Sequence, residues 1–279
     1  MKGFVKVIIA GAIILGIGVA VLVVVLGANG WQIEGDYEMK TYDCQETNGS
    51  LDVDFAAGNL IINYYDGEKI KVEYPENKRM TATILEENGT LTFKTTYKKL
   101  INFNWFSKTP DTKIWLPQNL TVALDLDMDA GTVNIPDGEY GSVKIVMDAG
   151  SLYAGDISCS SFSLRMSAGA ATVKNVISAG GAECKMSAGD LKIQSLSCPA
   201  LKCDVSAGSV KAEKLTCDVL NVDVSAGSAA FTLAGAESEY SVSVDKSAGS
   251  CNISDRTGST DKRITADISA GSLEIKFTN

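Results

Sequence analysis

"DVSAGSVKAEKLTCDVLNVDVSAGS", residues 204–228, contains Asp-Val-Ser-Ala-Gly-Ser twice, nineteen residues apart. Aligning the chain on the glycine of each Ala-Gly pair extends the series to Gly131, Gly150, Gly169, Gly189, Gly208, Gly227, Gly249 and Gly271, in steps of 19, 19, 20, 19, 19, 22 and 22. A fixed period near twenty residues is the signature of a solenoid, in which each unit buries its apolar face on its neighbours.

The columns of this alignment test the idea. Three residues before the glycine stand Met128, Met147, Met166, Met186, Val205 and Val224; five before stand Leu126, Ile145, Leu164, Cys184, Cys203 and Val222. The columns seven before, two after and four after are likewise apolar, and polar residues fill the positions between them. A period of two means strands with one buried face, so each coil reads as at least two short strands. Ser-Ala-Gly is the corner between them. Glycine accepts positive φ there, alanine is expected to point inward, and the serine, or Asp129 and Asp148, is expected to bond nearby backbone. A motif repeated along a whole array is scaffold, and these serines are not read as nucleophiles.

"LDVDFAAGNLII" carries the same columns around Gly58, which starts the solenoid near residue 48. Up to Gly131 the pattern is less regular. "ILEENGTLTF" reads as a hairpin turning at Asn88-Gly89. Phe103, Trp105, Phe106 and Trp115 are expected to form a hydrophobic cap on one end. The C-terminus, "ISAGSLEIKFTN", stops within a coil, whose open edge Glu274 and Lys276 would protect.

The N-terminus differs. Twenty consecutive uncharged residues run from Val7 to Leu26, the length of a bilayer-spanning helix. This exceeds the apolar core of a cleaved signal peptide. Lys2 and Lys6 precede it and no basic residue follows until Lys40, which places the N-terminus in the cytoplasm and the remainder outside. The expected organisation is therefore residues 1–30 as cytoplasmic tip and transmembrane helix and 31–47 as a juxtamembrane spacer with room for one strand. Residues 48–279 form an all-β parallel β-solenoid ectodomain, irregular over 48–120 and regular over 121–279, of roughly ten coils by its period. Without Lys2 and Lys6 the chain holds 23 basic against 34 acidic residues, which disfavours nucleic acid and anionic lipid heads as partners.

The chemistry is sparse. The chain has no histidine, which removes Ser-His and Cys-His nucleophile pairs and most catalytic zinc sites. No phosphate-binding loop or dinucleotide fingerprint occurs. No catalytic, cofactor-binding or metal-binding residue is assigned. Seven cysteines, Cys44, Cys159, Cys184, Cys198, Cys203, Cys217 and Cys251, form no C-x-x-C. Coil stacking at about 4.8 Å brings Cys198–Cys217 and Cys184–Cys203 within range of a disulfide. In-register stacking gives poor torsion for the bond, and the expectation is free core thiols. Asp204, Asp223, Asp245 and Asp267 share one outward column. It reads as a solvated face, with a calcium ladder as the alternative.

"GNLIINYYDGEKIKVEY", "ENGTLTFKT", "KIWLPQNL" and the run of DAG and SAG corners, behind an N-terminal anchor, together resemble the bacterial "putative adhesin" family, also described as β-strand-repeat or auto-transporter head-like proteins. The resemblance covers residues 35–279. It implies an extracytoplasmic β-solenoid associated with cell-envelope stress systems of Gram-positive bacteria, and it brings no catalytic residues. The expected function is a non-enzymatic interaction or scaffold module of the envelope, with envelope proteins or glycans as partners. The alternatives are an adhesin for host or neighbouring cells and, more distantly, a polysaccharide-acting β-helix enzyme, which would need acidic side chains converging in a groove.

Overall fold

The computed structural model describes residues 37–97 and 109–278, and they form a parallel β-solenoid. Three long strands, β8 (Val122–Ile135), β9 (Gly138–Cys159) and β10 (Phe162–Ser178), run continuously through the corner. Elsewhere the corner separates two shorter strands. These pairs are β2 (Ser50–Phe55) with β3 (Gly58–Tyr65), β11 (Ala182–Met186) with β12 (Asp190–Ser197), and β13 (Ala200–Val205) with β14 (Ser209–Thr216). They continue as β15 (Val219–Val224) with β16 (Ser228–Ala234), β17 (Ser241–Lys246) with β18 (Ser250–Cys251), and β19 (Arg263–Ile268) with β20 (Ser272–Thr278).

The strands before the corner make one sheet. With β6 (Thr90–Tyr97) as the first, its parallel order is β6, β2, β8, β9, β10, β11, β13, β15, β19, β17, which is ten coils. The strands after the corner make a second sheet. With β7 (Thr112–Pro117) as the first, its parallel order is β7, β3, β8, β9, β10, β12, β14, β16, β20, β18.

Both orders depart from chain order at their ends. The first coil in sequence, β2–β3, lies inside the later coil β6–β7. The last coil, β19–β20, lies inside the earlier coil β17–β18. The inward column explains the inversion at the C-terminal end. A penultimate coil is covered on two sides, so each inward residue must be apolar. The β2–β3 coil offers Leu51, Val53, Phe55, Leu60 and Ile62, all at most 2% exposed. The β6–β7 coil carries Thr95 and Thr112 at the corresponding places, and both are buried as well, with Thr95 Oγ1 accepting the Ala56 N–H at 2.9 Å. At the other end Ile264, Ala266, Ile268, Leu273 and Ile275 are buried, while β17 places Lys246 beside Ile268.

The corners are glycine for a reason of proximity. In register, Gly58 stacks on Gly131, Gly131 on Gly150, and Gly150 on Gly169. A Cβ on Gly131 would fall on the Gly58 carbonyl oxygen, and the same approach recurs up the stack. Gly131 also has φ +128°. Gly208, Gly227, Gly249 and Gly271 lack positive φ, so close approach alone selects glycine there.

Two expectations about the corner are corrected. The alanines do not point inward: Ala149, Ala168, Ala188, Ala207, Ala226 and Ala270 are exposed. The residue three before each glycine already fills the inside of the bend. Met128, Met147, Met166 and Ile268 are fully buried there. Nor do serine hydroxyls hold the turn. The corner peptides continue the inter-coil ladder instead, as in Ala188 N–H to the Ser167 carbonyl at 2.9 Å and Ala207 N–H to the Ser187 carbonyl at 2.8 Å.

Both ends are closed by polar caps. At the N-terminal end β5 (Met80–Glu87) pairs antiparallel with β6 through the expected turn, where Asn88 has φ 53° and Gly89 φ 75°. On the second sheet β4 (Lys71–Glu76) lies antiparallel to β7, and β1 (Glu38–Asp43) to β4. At the other end the segment after β18 folds back over β17. Val242 and Arg256 exchange both backbone hydrogen bonds, at 2.9 and 3.0 Å, and the Asp255 carboxylate accepts the Val244 N–H at 2.7 Å. The edge of β20 is not open, as the sequence suggested. Asn252 donates from Nδ2 to the Ile275 carbonyl at 2.7 Å and accepts the Ile275 N–H at 2.8 Å. Its side-chain amide thus extends the ladder where β18 stops.

The expected membrane span and the cap residues Phe103, Trp105 and Phe106 lie outside the described residues. Trp115 stands half-buried on the outer side of β7, edge-on to Tyr65 at 6.4 Å. Among the described residues no helix is long and apolar enough to cross a membrane.

Candidate interaction faces

The outer side of the first sheet is built by alternation: inward residues are consumed by the core, and those between them line up across the coils. The four aspartates of the sequence pattern do stack. Asp204 is in register with Asp223, Asp223 with Asp267, and Asp267 with Asp245. The coil inversion reverses the last two. Asp204 is screened by Lys185 at 3.3 Å and Lys202 at 3.4 Å, and Lys185 also reaches Glu183. A second carboxylate group at the opposite end of this sheet was not singled out from sequence. Asp52 stacks on Asp125 and Asp54 on Asp127. Burial and then the neighbouring Asp125 raise the Asp52 carboxyl above its ordinary value; burial and then Asp54 do the same for Asp127. Lys94 pairs with Asp54, and Lys144 reaches Asp125 at 2.8 Å. Among the described residues no three Cys, Asp or Glu side chains gather as a metal site. The carboxylates stand one per coil at the Asp204 end and two per coil at the Asp52 end, along the outer side of the sheet.

The thiols sit inside. All seven cysteines are free, and all but Cys251 are buried. Cys184 and Cys203 are register partners on β11 and β13. Burial pushes the Cys184 thiol up to about 12, Cys217 to about 12 and Cys198 to about 11. Such thiols are poor nucleophiles at neutral pH, and they behave as the small hydrophobes that their columns suggested.

The polar work of the fold is done by residues the repeat does not mark. Glu86 on β5 receives four donors: Tyr42 Oη at 2.8 Å, the Gln45 N–H at 2.8 Å, the Glu46 N–H at 3.0 Å and Asn48 Nδ2 at 2.9 Å. Burial opposes its charge, but these donors outweigh it and hold the carboxyl at about 2. At the other end, the Tyr240 hydroxyl lies 3.0 Å from the Ala234 carbonyl and 3.2 Å from that of Cys217. The Arg256 guanidinium covers the Phe277 ring at 5.6 Å and pairs with Glu237. Proximity to a hairpin turn was the only sequence signal for Glu86.

Stacked flat sheets, polar outer columns, closed ends and dispersed carboxylates define a β-solenoid of the repeat-scaffold class. Residues 48–279 match the model of the Toastrack DUF4097 family, and the chain belongs to that family. Among solved structures, a "putative adhesin" from Parabacteroides distasonis is 14% identical, with a TM-score of 0.55, over 86% of this chain and 97% of that one. A second "putative adhesin", from Bacteroides fragilis, is 13% identical with a TM-score of 0.49, over 89% of this chain and 100% of that one. No curated protein matches.

Proposed function

We propose that this chain is a membrane-anchored, non-enzymatic interaction module of the bacterial cell envelope, displayed outside the cell by its N-terminal apolar run and serving an envelope-stress assembly. The observation that carries this reading is the pair of outer faces, whose side chains line up in register from coil to coil. Extended faces of stacked repeats are suited to broad contacts with a partner. The stacked carboxylates line the outer side of one sheet, a placement that supports a binding face more than acid and base chemistry. The uncharged stretch Val7–Leu26 supports the anchor, and the description of the Parabacteroides neighbour as a "putative adhesin" supports display at a surface.

The test is photo-crosslinking in living cells from outward positions on each sheet, with identification of the trapped neighbours. Envelope proteins captured in a transmembrane-dependent manner are expected. Capture of cytoplasmic proteins alone would overturn the proposal. Selective binding of protein-coated beads to foreign cells would favour an adhesin instead.

A further inference from the structure

The second sheet differs from the first in one respect that chemistry can use: part of it carries no charge. Its middle outward column runs in register from Ile61 to Asn134, Tyr153 and Thr172. The flanking column on the corner side, from Asn59 to Ala170, is equally uncharged, and Asn63 extends the patch along β3. Lys113, in register with Ile61, and Asp111, which accepts a hydrogen bond from Asn59 Nδ2 at 2.9 Å, bound it on one side; Lys192 and Asp190, in register with Thr172 and Ala170, bound it on the other. At strand spacings it spans roughly 15 Å along the stack and about 13 Å across.

Tyr153, at its centre, is 53% exposed. The side-chain amides of Asn63 and Asn134 and the hydroxyl of Thr172 make no hydrogen bond within the described residues. An exposed ring offers an apolar face with a polar tip. Each free amide offers two donors and an acceptor.

We infer that this patch binds a neutral glycan, with one sugar ring lying on Tyr153 and bonded to Asn134, and the neighbouring sugar of the chain bonded to Asn63. The inference rests on the interaction-module reading and names one partner class for it. The chemistry selects among partners. An anionic polymer is repelled by the net charge of −9. A basic peptide finds its complement on the carboxylates of the first sheet instead. A polyhydroxylated neutral chain matches a surface of unpaired amides and hydroxyls around one aromatic ring, and it loses no ionic hydration on docking.

The experiment uses the full chain in detergent micelles, with cellohexaose, maltohexaose and chitohexaose as probes, heparin as the anionic comparison, and calorimetry as the readout. Saturable binding of at least one neutral oligosaccharide is expected, weakened roughly tenfold by Tyr153→Ala and by Asn134→Ala. Asn221→Ala, on the first sheet, should leave affinity unchanged. Circular dichroism and thermal unfolding of each variant separate a lost contact from a lost fold. Absence of binding to all three neutral probes, stronger binding of heparin, or unchanged affinity in Tyr153→Ala would each overturn the inference. Concentration-dependent self-association abolished by Tyr153→Ala would also overturn it, by assigning the patch to a second copy. If crosslinking in cells still traps envelope neighbours while the sugars fail to bind, the glycan inference falls and the envelope reading stands.

Discussion

Lys246 and Ile268 are register partners on β17 and β19, in the same inward column; Ile268 is fully buried and Lys246 is exposed. This pair shows why the C-terminal coil is not terminal in space. Burying the Lys246 ammonium between two coils would cost several kcal/mol, whereas at the end of the stack its long side chain reaches water. Ile268→Lys is therefore expected to destabilise the solenoid by about 3 kcal/mol or more, and Lys246→Ile to change stability by less than about 1 kcal/mol. Urea titrations of the two variants check this.

The same relationship predicts an order of local opening. In a solenoid that follows chain order, the C-terminal coil frays first. Here β19–β20 has neighbours on both sides, β15–β16 and β17–β18. Amide hydrogen exchange should be slower in residues 264–268 than in residues 242–246. Faster exchange in 264–268 would contradict the inverted order.

Much of the fold was legible in the sequence, and for a physical reason. Period-two alternation locked to a 19-residue step specifies both which residues face inward and which coils touch, so Met128 through Val224 could be placed from spacing alone. The hairpin at Asn88-Gly89 was legible because few residues accept its dihedrals. The order of the end coils was not legible from spacing, because a repeat length carries no information about where a coil lies in space. At the C-terminal end the information was present in composition, in Lys246, a charged residue at an inward position. The alanines were misplaced because the bend was assumed to need a small inward residue, a role that the methionine and valine column fills. The caps built by Glu86, Asn252 and Asp255 were invisible because single side chains that satisfy strand edges have no period. For the faces, the aspartate column was readable, but the neutral patch around Tyr153 required knowing which coils were neighbours.

The glycine column makes a sharp prediction. Gly150→Ala places a methyl group against the Gly131 backbone at φ +129°, in mid-stack where neither coil can retreat. A loss of at least about 2 kcal/mol is expected. Ala149→Ser, one residue earlier at an exposed corner position, should be within about 0.5 kcal/mol of the parent. Thermal unfolding of the pair distinguishes a glycine needed for close approach from a merely flexible corner.

The buried thiols predict a reactivity order. Cys251 is half-buried and the other six cysteines are buried. Alkylation by iodoacetamide at pH 8 should label Cys251 first, and should label Cys184 and Cys203 only after denaturation, since burial raises both thiols well above their ordinary value. Prompt labelling of Cys184 in the native protein would show that β11 and β13 separate readily.

Glu86 predicts how the N-terminal cap responds to acid. Its carboxyl sits at about 2 in the folded chain, against about 4.5 ordinarily. A group with a depressed folded value contributes stability that is fully present above the unfolded value and is lost as pH falls toward the folded one. The contribution should thus be constant from neutrality down to about pH 5 and decline between about pH 4.5 and pH 2. Discounted for partial exposure, it is on the order of 2 kcal/mol. Glu86→Gln keeps the shape but replaces one acceptor oxygen with a donor facing Tyr42, Gln45, Glu46 and Asn48. It should destabilise the protein at pH 7 by about that amount and flatten the acid limb of the stability profile. Urea midpoints measured from pH 7 to pH 2.5 for parent and variant check both effects. Parallel curves would assign the acid sensitivity to other depressed carboxyls, such as Glu76 and Glu239, instead. The raised carboxyls of the stacked Asp52 and Asp127 act with the opposite sign: protonation relieves repulsion there, so acid favours the fold at those two sites.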